Sequence, residues 1–419
     1  MKFPLLPTLL FISASFLPNN SAEAADDWRQ FRGPTQQGHT DSKLPTTWSE
    51  TENIKWKTAL PGLGWSSPVV NGDQIWMTTA LEDGKSLRAL CVDLPSGKLL
   101  HNVEVFRPDA PVTIHRRNSH ASPTPVIEGD RLFVHFGSMG TACLSTKDGS
   151  KLWENTDLKV DFENGAGGSL VLHKDRLLIP CDGMDAQYEV ALDKQTGKVL
   201  WKSERSGVEK LSKKPKDLRK SYGTPVLLEI DGKTQSLTTA AERLYALDPA
   251  SGSEIWYVDY PGFSNVPLPV SDERAIYVCT GFGKPELWAI KRGDAKGDVT
   301  ATHVLWKQKA GVPDQSSPVI VGERLYMVTS GGILSCIDTK DGRIVWKERV
   351  GSDFAASPIA ANGYLYFFDA VGKAVVIKPG DEFQKVAVNE LGDGFMASPA
   401  VVGKALIVRS KTHLYRIEE

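Results

Sequence analysis

The sequence predicts an all-β fold: an eight-bladed β-propeller whose ring is closed by an N-terminal strand that completes the last blade. Three observations predict it. A short phrase recurs along the chain, it recurs at the spacing of one propeller blade, and the two ends of the chain are complementary fragments of one unit. The phrase is SSPVVNGDQIWMT at 66–78, ASPTPVIEGDRLFVH at 121–135, SSPVIVGERLYMV at 316–328, ASPIAANGYLYFF at 356–368 and ASPAVVGKALIV at 397–408.

Each part of the unit has a physical reason. Small-Ser-Pro opens the first strand, where Pro is tolerated because no ladder donor is needed. A turn such as NGD (71–73) or VGE (321–323) follows, then an alternating strand such as RLYMV. A third strand such as GILSCID (332–338) leads to a Gly turn: KDG (340–342), QTG (195–197) or ASG (250–252). The last strand ends in Trp, as in SKLW (150–153), KVLW (198–201), SEIW (253–256), HVLW (303–306) and RIVW (343–346). Period-two patterning between turn residues reads as four short antiparallel strands. The openings fall near Pro68, Pro123, Ser169, Pro225, Pro267, Pro318, Pro358 and Pro399. That makes units of about 46 residues over 53–419, the length of a four-stranded blade. The final unit has three strands and no closing Trp, while NIKWKTAL at 53–60 resembles a closing strand with no unit before it. Pairing the two closes the ring and removes aggregation-prone edges. The closing Trp residues are read as structural, each filling the wedge between neighbouring blades and burying on the order of 200 Å².

Ahead of the ring, residues 1–24 read as a signal peptide. Lys2 gives the positive end, 3–17 (FPLLPTLLFISASFL) the apolar core, and AEA at 22–24 the cleavage site, so the mature chain starts at Ala25. Residues 25–52 are an N-terminal arm and 53–419 the propeller. No later run is long enough to span a bilayer. No cysteine lies near the cleavage point, so no lipid anchor is expected. The expectation is a periplasmic or otherwise exported, soluble, monomeric ring.

Composition excludes several function classes. Hydrophobic residues are 41% and charged residues 24%, a globular balance. The net charge of −2 gives no bulk attraction to nucleic acid or anionic membrane. The five cysteines, Cys91, Cys143, Cys181, Cys279 and Cys336, are widely spaced in strand-like runs and read as small buried hydrophobes. No CxxC, nucleophile elbow, HExxH or Walker loop is present. No catalytic or metal-ligating residue is assigned.

Three segments break the repeat. PVTIHRRNSHASPTP (111–125) places Arg116, Arg117, Asn118 and His120 just before an inner strand, near the mouth of the central channel. Two guanidiniums there suit a carboxylate, phosphate or sulfate. ENGAGGSLV (163–171) replaces Ser-Pro with glycines that permit close backbone approach. Nearby Asp182 and Asp185 carry calcium-type donors, without the spacing of a calcium loop. Residues 202–220 hold eight Lys/Arg against three Asp/Glu. Lys213, Lys214 and Lys216 form an alternative basic surface there. The residues preceding each inner strand converge in a propeller, so Trp65, Asn265 and Asp314 join the candidate channel-mouth site, and Lys284, in the same blade as Asn265, joins it from the channel or an adjacent rim.

These units resemble the repeats of the pyrroloquinoline-quinone (PQQ)-like β-propeller superfamily. The start DWRQFRGPTQQG (27–38) resembles the leader of exported PQQ-like repeat proteins common in planctomycete-type bacteria, as do NSHASPTPVIEGDRLFVHFGSMGTACL (118–144) and GFMASPAVVGKALIVRSKTHLYRIE (394–418). The resemblance implies one of two functions. Like the outer-membrane assembly factor BamB, the chain would bind a protein of the envelope or a small anionic ligand, without catalysis. Like the quinoprotein alcohol dehydrogenases, it would hold PQQ and calcium in its central funnel. Those enzymes carry an adjacent cysteine pair and are usually longer, and this chain has no adjacent cysteines. The expectation is therefore a binding scaffold.

Overall fold

The computed structural model describes residues 28–419; the expected signal peptide lies outside the described residues. Eight antiparallel sheets form the ring. Blade 1 spans 69–106, blade 2 126–155, blade 3 171–204 and blade 4 226–259. Blade 5 spans 270–308, blade 6 319–349, blade 7 359–390 and blade 8 400–417. Blade 8 supplies three of its own strands, and Ile54–Ala59 is the fourth. That strand runs antiparallel to His413–Ile417, with Ile54 opposite Ile417 and Ala59 opposite His413. The ring is thus closed from the N-terminal side, as the complementary ends predict.

Two features exceed the four-strand pattern. His39–Thr40 lies parallel to the innermost strand of blade 7, and Gly297–Asp298 lies parallel to the outermost strand of blade 4. The opening register also differs by two residues in blades 2 and 5. There the strand starts after Pro125 and Pro269, not after Pro123 and Pro267.

The closing Trp residues join each blade to the next. The indole N–H of Trp56 donates to the Leu94 carbonyl at 2.8 Å, Trp153 to Lys194 at 3.0 Å and Trp201 to Pro249 at 3.2 Å. Trp306 and Trp346 donate to Thr339 and Gly380 at 3.1 and 3.0 Å. The glycine of the neighbouring turn lies flat on the indole. At Gly197 and Gly342 the backbone has φ of +72° and +76°, and a side chain there would collide with Trp153 or Trp306. Three blades depart from this, and in blade 7 the position holds Ala387. His101 takes the Trp position in blade 1 and stacks on Trp76 at 5.6 Å. Trp256 in blade 4 is buried and bonds Gln235 of its own blade.

The Ser of the opening phrase makes the second junction. The Ser67 amide donates to the Thr124 hydroxyl (3.0 Å), Thr124 to Ser169 (2.9 Å) and Ser169 to Thr224 (2.9 Å). Leu268 donates to Ser317 (3.0 Å), Ser317 to Ser357 (3.0 Å) and Ser357 to Ser398 (2.9 Å). Each blade's hydroxyl therefore receives the backbone N–H of the blade before it. Between blades 4 and 5 the position holds Leu268, which has no hydroxyl. There the Tyr222 amide donates to the Asn265 carbonyl at 2.8 Å instead. Between blades 8 and 1, the buried Arg409 guanidinium reaches Ser66 and Thr78. Burial lowers the Arg409 pKa to about 9.

Between blades 3 and 4, Arg205 meets Asp182 at 3.0 and 2.9 Å and Glu189 at 3.2 Å, all fully buried. Asp182 is therefore engaged by a guanidinium. The five cysteines are buried and unpaired, as small hydrophobes would be.

Two expected outcomes follow from the packing. Ser317→Ala leaves the buried Leu268 N–H without its acceptor and should cost about 1–3 kcal/mol of unfolding free energy in urea melts. An unchanged value would remove the hydroxyl ring from the stability of the fold. The second concerns His135, buried beside Thr141 with its pKa lowered by burial to about 4. The unfolded chain takes up this proton near pH 6.5 and the folded chain does not, so stability is full above 6.5 and falls as pH drops toward 4. At pH 5 the loss from this residue is about 2 kcal/mol relative to pH 7.5. His135→Gln should flatten that part of the stability–pH curve.

Candidate functional site

The inner edge of every blade faces the channel, and a sheet edge carries N–H and C=O groups that need partners. The N-terminal arm supplies them in blades 1, 2, 4, 5, 6 and 7. Trp28 and Arg29 carbonyls accept from Val70 of blade 1 and Ile127 of blade 2 at 2.9 and 3.0 Å. Gln36 mimics a strand against blade 4: its side-chain oxygen accepts from Leu227 (3.0 Å) and its amide donates to Pro225 (2.9 Å). Gln37 accepts from Ser271 of blade 5 at 3.0 Å. Arg32 and His39 reach the Pro318 and Ile320 carbonyls of blade 6 at 2.8 and 2.6 Å. Gly38 accepts from Ala360 of blade 7 at 2.8 Å. The arm is a plug. Arg32 at its centre is 1% exposed, and burial lowers its pKa to about 9.

Above the plug the channel widens into a cup of about 520 Å³, with Phe31 of the arm among its lining residues. The ring hydroxyls Ser67, Thr124, Ser169, Thr224, Ser317 and Ser357 also face it. Higher up stand aromatic groups: Trp65, Tyr222, Phe263 and Phe282. Phe263 and Phe282 meet edge to face at 6.1 Å, and Phe282 is 56% exposed.

The three segments that break the repeat build the rim together. The His115 amide and the Asn118 side chain both bond the Asn164 carbonyl, tying the 111–125 loop to the Gly-rich segment. Gly165 allows this approach, because a Cβ there would stand 2.6 Å from Ile114. Asn164 in turn donates to the Tyr222 hydroxyl at 3.0 Å, reaching the basic insertion.

Of the channel-mouth residues named from sequence, Trp65, Arg117, Asn118 and Asp314 line the cup. Trp65 donates its indole N–H to the Arg117 carbonyl at 3.1 Å. Arg117 crosses to the far side of the ring, pairing with Asp353 at 2.7 and 3.2 Å and donating to Gln315 at 3.2 Å. Asp314 accepts from the Ser330 hydroxyl. The other four stand elsewhere. Arg116 points to solvent. His120 packs on Gly84 and bonds the Val112 carbonyl. Asn265 is fully buried between Tyr260 and Cys279. Lys284 belongs to a separate surface pocket with Glu286 and Lys309. In the alternative basic surface, Lys213 and Lys216 are exposed and Lys214 pairs with Glu242. The same insertion delivers Lys220 to the cup, where it is buried and paired with Glu163. Sequence reasoning missed Phe31, Lys220, Tyr222, Phe263, Phe282 and Asp353. Asp353 had a usable signal, since it stands just ahead of blade 7.

The family described as outer membrane protein assembly factor BamB matches residues 39–179 and 186–419. The chain belongs to this BamB family. Among solved structures, BamB from Moraxella catarrhalis is similar at 12% identity and a TM-score of 0.59, over 87% of this chain and 99% of that one. Quinohemoprotein alcohol dehydrogenase from Comamonas testosteroni is similar at 10% identity and a TM-score of 0.63, over 95% and 81%. A europium-containing methanol dehydrogenase is similar at 11% identity and a TM-score of 0.56, over 93% and 90%. At these identities the structural likeness shows the fold alone. No curated protein matches the chain by sequence.

The quinone–calcium pair implied by the dehydrogenase likeness would need a matching donor set in the cup. Calcium takes six to eight oxygens converging on one point. Here Glu163 is held by Lys220, Asp314 receives a hydroxyl, and Asp217, the third carboxylate of the lining, is exposed on the basic insertion. No three His, Cys, Asp or Glu side chains among the described residues converge as a metal site. The residues of this BamB-family cup do not fit that pair. No helix among the described residues is long and apolar enough to cross a membrane.

The plug carries its own test. Gln36→Leu keeps the shape and removes both bonds to blade 4, leaving a buried N–H and C=O unpaired. It should lower unfolding free energy by about 2–4 kcal/mol. Unchanged stability would mean that the arm does not hold the inner edges in solution.

Proposed function

We propose that this protein is an exported, non-catalytic scaffold of the cell envelope that receives part of a partner protein in the cup. The observation that carries the reading is the blind cup itself. The arm closes its floor, so the ring presents a receptor and not a pore. Its volume lies within the range of ligand sites. Phe282 and Val266, 56% and 38% exposed, stand with Phe263 at the rim as an apolar edge beside paired charges. Exposed apolar groups next to polar ones suit a protein interface. The family's description as an assembly factor supports a protein partner in the envelope.

A photo-crosslinking residue at Val266 should capture a discrete partner in the native envelope. The same residue at Leu99, exposed on the outer strand of blade 1, should not. Phe282→Asp should weaken that capture about tenfold, the equivalent of losing one buried aromatic contact. Its melting temperature should not move, because Phe282 is largely exposed. Equal crosslinking from both positions, or none from Val266, would overturn the reading.

A further inference from the structure

We infer that the cup recognises the C-terminal carboxylate of a polypeptide with an apolar last side chain, and that Asp353 is the intramolecular occupant this carboxylate displaces. The inference rests on the scaffold reading and names the chemistry of the partner.

Four observations point this way. Arg117 lines the cavity and Asp353 does not, so the guanidinium faces a guest, beside Lys220 and the carboxylates of Glu163, Asp217 and Asp314. Asp353 binds it through both carboxylate oxygens, at 2.7 and 3.2 Å, so a two-oxygen carboxylate site already exists across the mouth. The arginine is pre-positioned: its carbonyl is held by Trp65 and its amide by the His115 ring. The pair is displaceable, with side chains 33% and 34% exposed. Ion pairs at that exposure contribute little net stability. Lys220, the other cation of the cup, is 5% exposed and held by Glu163, which makes it the poorer site.

The exchange conserves charge. One carboxylate replaces another on Arg117, and Asp353 turns to solvent. The displacing group adds what Asp353 cannot, an apolar side chain set among Phe263, Phe282 and Tyr222. A blind cup cannot thread a continuous chain past Phe31, so its guest must enter and stop there; of the groups that can, a chain end is the one that brings a main-chain carboxylate to Arg117.

The test uses the full-length protein and two tetrapeptide pools ending in Phe, Leu or Met, one with free C-termini and one amidated. Retention on immobilised protein is read by mass spectrometry, and affinities of retained peptides by fluorescence polarisation. The free-acid pool should bind at least tenfold more tightly than the amidated pool. Arg117→Gln should lose that preference, and Asp353→Asn should strengthen free-acid binding several-fold, both with unchanged melting temperature. 3-Phenylpropionate should compete only weakly; competition as strong as that of the peptides would overturn the polypeptide source. Equal retention of acid and amide pools, retention of neither, or weaker binding by Asp353→Asn would overturn the inference. The scaffold reading would survive those results if crosslinking from Val266 still captured its partner.

Discussion

Everything in this ring depends on satisfying the inner edges of its blades. Closing the ring leaves no blade incomplete, yet it turns eight short sheet edges toward the ring's own axis. Buried backbone groups without partners cost on the order of 1–3 kcal/mol each. The chain answers with two devices at two levels. Hydroxyls at the strand openings take the amide of the preceding blade, and the arm takes amides one turn deeper. The second device converts the channel into a cup, so the feature that completes the fold also creates the site.

The ring was legible because its determinants are local and repeated. Period-two strands, Gly turns and closing Trp residues recur at one spacing, and the split blade at the ends needs only those patterns. The role of Ser was not legible. Its hydroxyl acts between units, on an amide about 40–57 residues away, so no single repeat shows the bond. The register slip in blades 2 and 5 has a plain cause. Both openings contain two prolines two residues apart, Pro123 and Pro125, Pro267 and Pro269, and alternation gives both the same facing. Only pairing with the next strand separates them.

At the site the sequence indicates the region but not the individual side chains. Arg116 and Arg117 are the central residues of a turn closed by the Asn118 amide on the His115 carbonyl, and such a turn sends its two side chains different ways. One crosses the cup and the other meets solvent. Asn265 precedes its strand as Asp314 does, but the absence of a hydroxyl at Leu268 draws its backbone into the junction between blades 4 and 5, and the side chain is buried there. Lys220 and Phe31 lay in segments that looked like a charged insertion and a leader. Their contribution arises from where the ring folds those segments, which composition does not record.

The division of labour bears on the fold's relatives. The forces that hold the ring act through backbone amides, short hydroxyls, and indoles lying on glycine, and none of these groups selects a ligand. Much of the cup's character comes from the connections before blades 2, 3, 4 and 5, which add aromatic and charged groups and enter the ring bonds only between blades 4 and 5. Such connections can change while the ring stays the same, which is how a propeller similar in shape to both an assembly factor and dehydrogenases shares only 10–12% of its residues with them. In this chain the cup's Lys and Arg each pair with a carboxylate of another connection, Lys220 with Glu163 of the adjoining one and Arg117 with Asp353 across the ring. Burial of the cation then separates the two pairs. Lys220 is 5% exposed and would be left without a counter-charge inside the wall if Glu163 moved away, which is costly; Arg117 keeps contact with water, so its pair is cheap to exchange.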